Sequence, residues 1–309
     1  MNQHRDDIAA MKQWLDSAID RGAVPVLTGQ NGDMDTIGSA IALSAIHPAL
    51  LACGIHLGRV AKRMVENLNA PFRKISSQGA EFPEKLGGII VVDAASPDQV
   101  GINLPDVPKL IIDHHATNGW MLEKGDVLVK WDASATTEMV ASYLFEHAPE
   151  VLSDSVRKML LAGMITDTGR FRHARTSSFA VTTKLLENSN IDYAEFCEAI
   201  EKEDTNPSER GSLLRGLGRA KHHEAGEWSL VTTYAGTLEG RLASMLLTTG
   251  CDVTLVSRHR DGVTRLTARA TRKSTLRGVQ LGAIMETIAE HHGGNGGGHD
   301  GAAGWRGNV

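Results

Sequence analysis

The sequence predicts an α/β protein of two domains, a mostly parallel sheet with flanking helices followed by a smaller α/β domain. Three observations support this fold class. The chain has 309 residues, more than one hydrophobic core usually serves. Its first half contains short apolar runs without polar alternation, which is typical of strands buried on both faces. Helical patterns lie between and after these runs, and the pattern changes near residue 219.

In the first half, strand-like runs and helical patterns follow an amphipathic opening segment. That segment predicts a helix, because its apolar residues Ile8, Met11, Leu15 and Ile19 are spaced by three and four. The predicted strands are 24–27, 88–92, 109–112 and 127–129. The predicted helices are 36–46, 136–146 and 156–164. Strands of this kind, covered by helices on both faces, predict a mostly parallel sheet.

The second half begins with a polar helical stretch over 179–218. A strand at 228–234, a helix at 241–247 and a closing helix at 281–292 follow. Between them, Asp261-Gly262 predicts a hairpin with a two-residue type I′ turn. We therefore expect domains at 1–190 and 219–309, with a helical connector at 191–218.

Composition and charge limit the classes of partner. Lys plus Arg is 32 and Asp plus Glu is 37, a net charge of −5, which argues against binding extended duplex nucleic acid. The longest apolar stretch, 40–55, contains His47 and Pro48, so we expect no membrane span. The first twenty residues show no apolar signal region, and the three cysteines form no CxxC pair. These features predict a cytoplasmic protein.

The candidate chemistry is a set of acids placed where predicted elements end. The set comprises Asp33 and Asp35 after the first strand, Asp93 after the second, Asp113 with His114 and His115 after the third, and Asp167 at the end of a helix. Strand ends converge at one edge of a parallel sheet, where carboxylates repel one another unless a cation lies between them. Oxygen and imidazole ligands favour Mn²⁺ or Mg²⁺. Taken singly, each Asp could simply cap a helix, Asp33 above all.

Two further patterns point to an anion. The glycine-rich segment 296–304 contains a His and an Ala-Ala pair, which a flexible tail would not need. The hairpin places Arg258 opposite Arg265, with Arg269 on the same face, and like charges opposite each other destabilise a sheet. A phosphate would offset that repulsion, and a solvated basic face is the alternative.

At these residues the sequence resembles the DHH phosphoesterase superfamily, whose name-giving run is Asp113-His114-His115 here. The segment GGGHDGAAG resembles the loop of the first type of DHH-associated C-terminal domain. That group includes nanoRNases (oligoribonuclease and pAp phosphatase), RecJ exonuclease and cyclic-dinucleotide phosphodiesterases. The resemblance spans about residues 24–304, and the modest length resembles the stand-alone nanoRNase type most.

The resemblance implies a role for each candidate residue. It implies that Asp33 ligates a first metal, that Asp35, His114 and Asp167 ligate a second, and that Asp93 bridges both. It implies catalytic roles for two more residues, with Asp113 orienting the histidines and His115 facing the phosphate or leaving group. The implied substrate-binding residues are Arg172, Arg269, Gly296, Gly297, Gly298 and His299.

One position departs from the family pattern. The family usually has a histidine ligand of the first metal four residues before Asp33, and this chain has Gly29 there. The resemblance therefore implies two Mn²⁺ sites, the first of them lacking a usual ligand, with Mg²⁺ as the alternative ion.

We expect a phosphoesterase that hydrolyses short oligonucleotides, dinucleotides or pAp-like nucleotides in the cleft between its catalytic domain (1–190) and its substrate-binding domain (219–309). A homodimer is compatible with this expectation. One alternative is a catalytically weakened nucleotide-binding or regulatory protein, because of Gly29. Another is a RecJ-like single-strand exonuclease, against which the acidic charge and the 5% aromatic content argue.

Overall fold

The computed structural model describes residues 2–78, 80–201 and 205–308. The chain divides into two compact units, Met1–Lys202 and Glu203–Val309. The first contains a parallel six-stranded sheet and the second a mixed six-stranded sheet, each with helices. The predicted α/β fold of two domains is therefore confirmed.

The strands of the first unit form one parallel sheet. They are β1 (Val24–Thr28), β2 (Leu50–Gly54), β3 (Arg73–Lys74), β4 (Ile89–Val92), β5 (Lys109–Asp113) and β6 (Val127–Lys130). Their order across the sheet is β3-β2-β1-β4-β5-β6, with β1 and β4 side by side at the centre. The four predicted strands are confirmed. The sequence pattern missed β2, which lies inside the apolar stretch 40–55, and the two-residue β3.

The first unit contains the predicted helices and one, at Arg59–Asn67, that the sequence pattern missed. They are α1 (Asn2–Arg21), α2 (Met34–Ser44), α3 (Arg59–Asn67), α4 (Thr136–His147), α5 (Asp154–Asp167), α6 (Thr176–Leu186) and α7 (Tyr193–Glu201). Across the described parts of both units, no helix combines the length and the apolar character needed to cross a membrane.

The two faces of the first sheet are covered differently. On one face, Val26 and Ile90 pack in a large core with residues of α1, α2, α4 and α5. On the other face, Leu27 and Val91 pack in a smaller core, with cover from a short 3-10 turn at Pro97–Val100 and from loop residues such as Trp120. The sequence pattern predicted helices on both faces because it identified burial but not the element that provides it.

The second unit has a mixed sheet. Its strands are β7 (Lys221–Ala225), β8 (Trp228–Tyr234), β9 (Val253–Arg260), β10 (Val263–Ala270), β11 (Asn295–His299) and β12 (Ala302–Gly307). Its helices are α8 (Pro207–Gly218), α9 (Glu239–Leu247), α10 (Arg272–Leu276) and α11 (Leu281–His292). The strand order is β11-β12-β10-β9-β8-β7, and β8 and β9 form the parallel pair.

The predicted hairpin is present, with β9 and β10 joined at Asp261-Gly262. Both residues have positive φ, 53° and 73°, as a type I′ turn requires. Arg258 lies opposite Arg265, as predicted.

The glycine-rich segment is a strand pair rather than a loop, because β11 and β12 form an antiparallel ladder. Glycine is needed for close packing there. A Cβ on Gly296 would lie 1.9 Å from the Met285 carbonyl oxygen of α11, so a side chain would separate the helix from the strand.

A close contact between α2 and α5 sets the position of the loop that precedes α2. A Cβ on Gly38 of α2 would lie 2.6 Å from the Met159 carbonyl oxygen of α5, and one on Gly163 of α5 would lie 3.1 Å from the Asp35 Cα of α2. The two helices approach this closely only because both positions lack a side chain.

We expect Gly38→Ala to lower the free energy of unfolding by about 1–3 kcal/mol, because the added methyl group overpacks the contact with α5. Urea unfolding of the full chain, followed by far-UV circular dichroism, measures this change. Gly218→Ala is the matched control, since its Cβ would meet nothing within 4 Å at the end of α8. The control should be neutral or stabilising by up to about 1 kcal/mol, because alanine favours the helix more than glycine does. Equal stability of Gly38→Ala and the wild type would contradict the packing argument.

Candidate metal centre

Two neighbouring strands bring acids to the same edge of the first sheet. Asp93 directly follows β4, and Asp113 is the last residue of β5. Both are buried, with 4% and 2% of their surface exposed. Asp93 has a φ of 57°, in the left-handed region that non-glycine residues rarely adopt. The chain thus turns sharply at Asp93, directly after β4.

His114 lies at the centre of the acidic cluster. Its Nε2 atom lies 3.8 Å from Asp35 Oδ2, 3.5 Å from Asp93 Oδ1 and 3.5 Å from Asp167 Oδ2. Its Nδ1 atom lies 3.3 Å from the Ala133 carbonyl oxygen, which can only accept a hydrogen bond. A proton on Nδ1 would donate to that carbonyl and leave the Nε2 lone pair to ligate a cation among the three carboxylates.

Asp35 is held by the beginning of α4. Its Oδ2 accepts a hydrogen bond from the Thr136 backbone N–H at 2.7 Å. Its Oδ1 accepts two more from Thr137, from the backbone N–H at 2.8 Å and from Oγ1 at 2.6 Å. Thr136 Oγ1 also donates to Asp93 Oδ1 at 3.2 Å. Neither threonine was predicted as part of the site, although the start of a predicted helix offers unpaired backbone N–H donors.

The proximity of these acids raises the pKa values of two of them. Burial and the charges of Asp35 and Asp33 raise the pKa of Asp93 well above its usual value. Burial, followed by the charge of Asp35, raises the pKa of Asp167 to about 6. Since each carboxylate opposes the ionisation of the others, a cation among them would relieve the repulsion.

The donor set fits a divalent cation. One group of possible ligand atoms comes from Asp35, His114 and Asp167, and another from Asp93, His114 and His115. Within each group the atoms lie within 4.8 Å of one another. Carboxylate oxygens and imidazole nitrogens, with no thiolate, suit Mn²⁺ or Mg²⁺ better than a structural zinc.

His115 and Asp113 form a pair beside the cluster. His115 Nδ1 lies 2.7 Å from Asp113 Oδ1, and this hydrogen bond raises the pKa of His115. The His115 side chain is 41% exposed, whereas Asp113 is buried. A buried carboxylate thus fixes the orientation of a ring that solvent or a ligand can reach.

Asp33 is engaged in the cap of α2. Its Oδ1 accepts hydrogen bonds from the backbone N–H groups of Asp35 and Thr36, both at 3.1 Å. Its Oδ2 accepts another from Asn31 Nδ2 at 2.6 Å. Position 29 adds no side chain, and a Cβ there would lie 3.1 Å from both Asn31 Oδ1 and the Asp93 carbonyl oxygen. Asp33 is therefore a helix cap as well as a neighbour of the acidic cluster.

Arg172 lies in the turn that follows Asp167. Gly169, Arg170 and Phe171, just before it, all have positive φ, between 57° and 62°. The Arg172 side chain is exposed. A guanidinium is thus available close in sequence to the cluster.

The other predicted substrate-binding residues lie in the second sheet. Arg269 on β10 is in register with Ala302 on β12, and Ala302 is in register with His299 on β11. Gly296, Gly297 and Gly298 belong to β11 as well. Arg269 and His299 therefore share one face of that sheet, two strands apart.

Comparison with known proteins agrees with this organisation. An uncharacterized protein of Methanocaldococcus jannaschii is 26% identical over 292 residues, which cover 92% of this chain and 87% of that protein. The crystal structure of an exopolyphosphatase-related protein from Bacteroides fragilis superimposes with a TM-score of 0.68 at 16% identity. That superposition covers 97% of this chain and 90% of the other, and it shows a shared fold.

Two family matches divide the chain as the two units do. Residues 23–164 match the N-terminal domain of the DHH family, and residues 235–309 match the DHHA1 domain. The first match includes Asp33, Asp35, Asp93 and the Asp113-His114-His115 run, and the second includes Arg269 and the β11–β12 pair. The chain therefore contains a DHH-family N-terminal domain followed by a DHHA1 domain.

Proposed function

We propose that this protein is a divalent-metal-dependent phosphoesterase that hydrolyses short oligonucleotides, dinucleotides or pAp-like nucleotides. The observation that carries the proposal is the position of His114 Nε2, within 3.8 Å of carboxylate oxygens from Asp35, Asp93 and Asp167. These acids come from distant parts of the sequence, and their mutual repulsion would be relieved by a cation among them.

Four residues would hold the cation. Asp35, Asp93 and Asp167 offer hard oxygen ligands, and His114 offers the Nε2 lone pair. When bound, a divalent cation would polarise a phosphoryl oxygen and lower the pKa of a coordinated water. We propose Mn²⁺ rather than Mg²⁺ because imidazole suits Mn²⁺ better. The threonines at the start of α4 keep Asp35 in place for this role.

His115 would act on the substrate. Asp113 fixes its ring, and the exposed part of the ring can contact a phosphate oxygen or the leaving group. A proton held on His115 would neutralise charge that develops on the oxygen of the broken ester bond. Asp113, being buried and hydrogen-bonded to Nδ1, would position His115 without touching the substrate.

The arginines and glycines would bind phosphate groups. Arg172 presents a guanidinium after Asp167, and Arg269 presents another from the second sheet. A guanidinium matches phosphate oxygens with two parallel N–H donors. Gly296, Gly297 and Gly298 leave backbone open on the edge strand β11, and His299 lies in register with Arg269 through Ala302.

A second candidate function is a nucleotide-binding or regulatory protein with weakened catalysis. Two observations favour it. Position 29 has no side chain that could ligate a metal, and both carboxylate oxygens of Asp33 accept hydrogen bonds within the α2 cap. A first metal site built on Asp33 would have to compete with that cap.

We expect the protein with Mn²⁺ to hydrolyse pAp or a linear dinucleotide, in a panel that also contains a cyclic dinucleotide and pyrophosphate. Asp93→Asn should lower the rate by more than about a hundredfold, since loss of a ligand should exceed the effect of losing an outer-shell partner. Asn keeps the shape of Asp and tolerates a positive φ.

The matched control for this experiment is Asp98→Asn, the same change at an exposed acid on the neighbouring 3-10 turn. A substantial rate in Asp93→Asn would rule out the assigned metal site. No hydrolysis of any of the four compounds, with nucleotide binding retained, would favour the regulatory alternative.

We expect Mn²⁺ to stabilise the fold through the same site. At a concentration a hundred times its dissociation constant, a ligand that binds only the native state adds about 2.7 kcal/mol to the free energy of unfolding. Thermal unfolding with and without Mn²⁺ measures the gain, and His114→Gln should abolish most of it. His47→Gln, at an exposed histidine beyond the far end of α2, should keep the full gain. An undiminished gain in His114→Gln would place the ion elsewhere.

We expect the hydrolysis rate of Gly29→His to exceed that of Gly29→Ala at least about tenfold. A restored metal ligand should change the rate at least as much as the loss of an outer-shell partner does. The alanine variant carries the steric effect of a Cβ close to Asn31 and to the Asp93 carbonyl oxygen, so the comparison isolates the imidazole. Steady-state hydrolysis of the best panel substrate provides the rates. Equal rates would mean that hydrolysis does not depend on a metal ligand at position 29.

A further inference from the structure

One buried acid close to the metal centre has no role in the chemistry described so far. Glu138 lies in the first turn of α4 and is 4% exposed. Among the described residues, no Lys, Arg or His forms an ion pair with it. A buried carboxylate without a cation is unfavourable unless hydrogen bonds replace its water. An acid can complement the helix dipole from an exposed position, so the dipole alone does not explain why Glu138 is buried.

Glu138 connects the start of α4 to the start of α6. Its Oε2 atom accepts a hydrogen bond from the Ser178 hydroxyl at 2.7 Å and a longer one from the Ser134 backbone N–H at 3.3 Å. Ser178 is fully buried on α6, and Ser134 lies in the loop before α4. One carboxylate oxygen therefore holds together two segments that are distant in the sequence.

The loop that Glu138 holds is the one that contacts His114. The Ala133 carbonyl oxygen lies 3.3 Å from His114 Nδ1. This carbonyl and the Ser134 N–H belong to the same peptide group, which is planar and trans. The two groups therefore point in opposite directions, the N–H to Glu138 and the carbonyl to His114. A hydrogen bond that fixes one end of this peptide group also fixes the direction of the other end.

The same loop has two further contacts with the segment before α6. The Arg175 backbone N–H donates to Ser134 Oγ at 3.0 Å, and the Arg175 guanidinium forms an ion pair with Asp132. Both contacts are exposed to solvent, and exposed ion pairs contribute little. The hydrogen bond between Ser178 and Glu138 is buried. It is therefore the contact that secures the loop against α6.

We propose that Glu138 is a positioning residue of the metal centre, which orients the peptide group between Ala133 and Ser134 so that its carbonyl oxygen fixes the His114 ring. Ser178 keeps the Glu138 carboxylate in place. An imidazole whose second nitrogen is held by a hydrogen bond keeps its ligating nitrogen in a fixed direction. The inference rests on the proposed function in one respect, the cation that His114 would ligate.

The test is Mn²⁺ binding to the full chain without substrate, with the free ion measured by electron paramagnetic resonance. Glu138→Met removes both acceptor oxygens at a similar side-chain size. It should weaken Mn²⁺ binding about tenfold, at the lower end of the range for loss of an outer-shell partner. Glu138→Gln keeps one acceptor oxygen, which can accept both hydrogen bonds, so it should restore most of the affinity.

Ser178→Ala is the second variant, in case Glu138→Met does not fold. Its matched control is Thr182→Val, because Thr182 is also buried on α6 but donates from Oγ1 to the Ser178 carbonyl oxygen of its own helix. Each change removes one buried hydrogen bond from α6, so both should lower the midpoint of urea unfolding. Only Ser178→Ala should also weaken Mn²⁺ binding.

Hydrogen–deuterium exchange of the metal-free chain provides a readout that does not depend on the ion. The Ser134 amide should exchange faster in Glu138→Met than in Glu138→Gln or Thr182→Val, because only Glu138→Met removes its acceptor. Unchanged Mn²⁺ affinity in a folded Glu138→Met variant, or in Ser178→Ala, would overturn the proposal. Equal loss of affinity in Ser178→Ala and Thr182→Val would also overturn it, since the loss would then follow from stability alone.

These measurements separate the inference from the proposed function. A wild-type chain that binds Mn²⁺ and hydrolyses a phosphoester, with Glu138 variants that do the same equally well, would support the enzyme and contradict the role of Glu138. A wild-type chain that binds no Mn²⁺ would contradict the enzyme. Exchange of the Ser134 amide would then still decide whether Glu138 holds the peptide group.

Discussion

Asp35, Asp93 and Asp167 bring three carboxylates around one imidazole nitrogen, and the fold must hold them there against their mutual repulsion. Several features of the first unit serve that purpose. Parallel strands β4 and β5 deliver Asp93 and the DHH run to the same edge, and the start of α4 supplies three donors to Asp35. The close contact of α2 with α5 keeps Asp35 and Asp167 near each other. Removing any one of these supports would let the acids separate.

The sequence predicted the components of this site better than their supports. An acid at the end of a buried strand is visible in the sequence, because the topology of an α/β sheet brings strand ends together whatever the loops contain. The hairpin was visible too, since Asp-Gly determines both its turn and its register. Thr136 and Thr137 were missed because their partner, Asp35, is distant in the chain. The position of Arg306 opposite Arg265 was missed for the same reason, since it follows from the pairing of β10 with β12, which no local pattern encodes.

The pair Gly29 and Asp33 shows how one residue can serve two local demands. A carboxylate at the start of a helix stabilises the unpaired N–H groups of the first turn. The same carboxylate can ligate a cation only with the lone pairs that those N–H groups leave free. Where a histidine at position 29 would favour the ligand role, a glycine leaves the capping role dominant. The balance between capping and ligation thus depends on a neighbour that contacts the helix through its backbone, where the Gly29 N–H donates to Thr36 Oγ1 at 2.8 Å.

The type I′ turn at Asp261-Gly262 has a consequence for the placement of charge on the second sheet. Side chains alternate between the faces of a strand, so the turn decides which face each residue of β10 occupies. A slip of one residue between β9 and β10 would move Arg265 to the side where Leu266 and Trp305 now form a core with α11. A buried unpaired guanidinium is strongly unfavourable. The charge of Arg265, which is exposed in the native pairing, therefore disfavours the misaligned pairing. The arginines therefore help to specify the strand alignment that displays them.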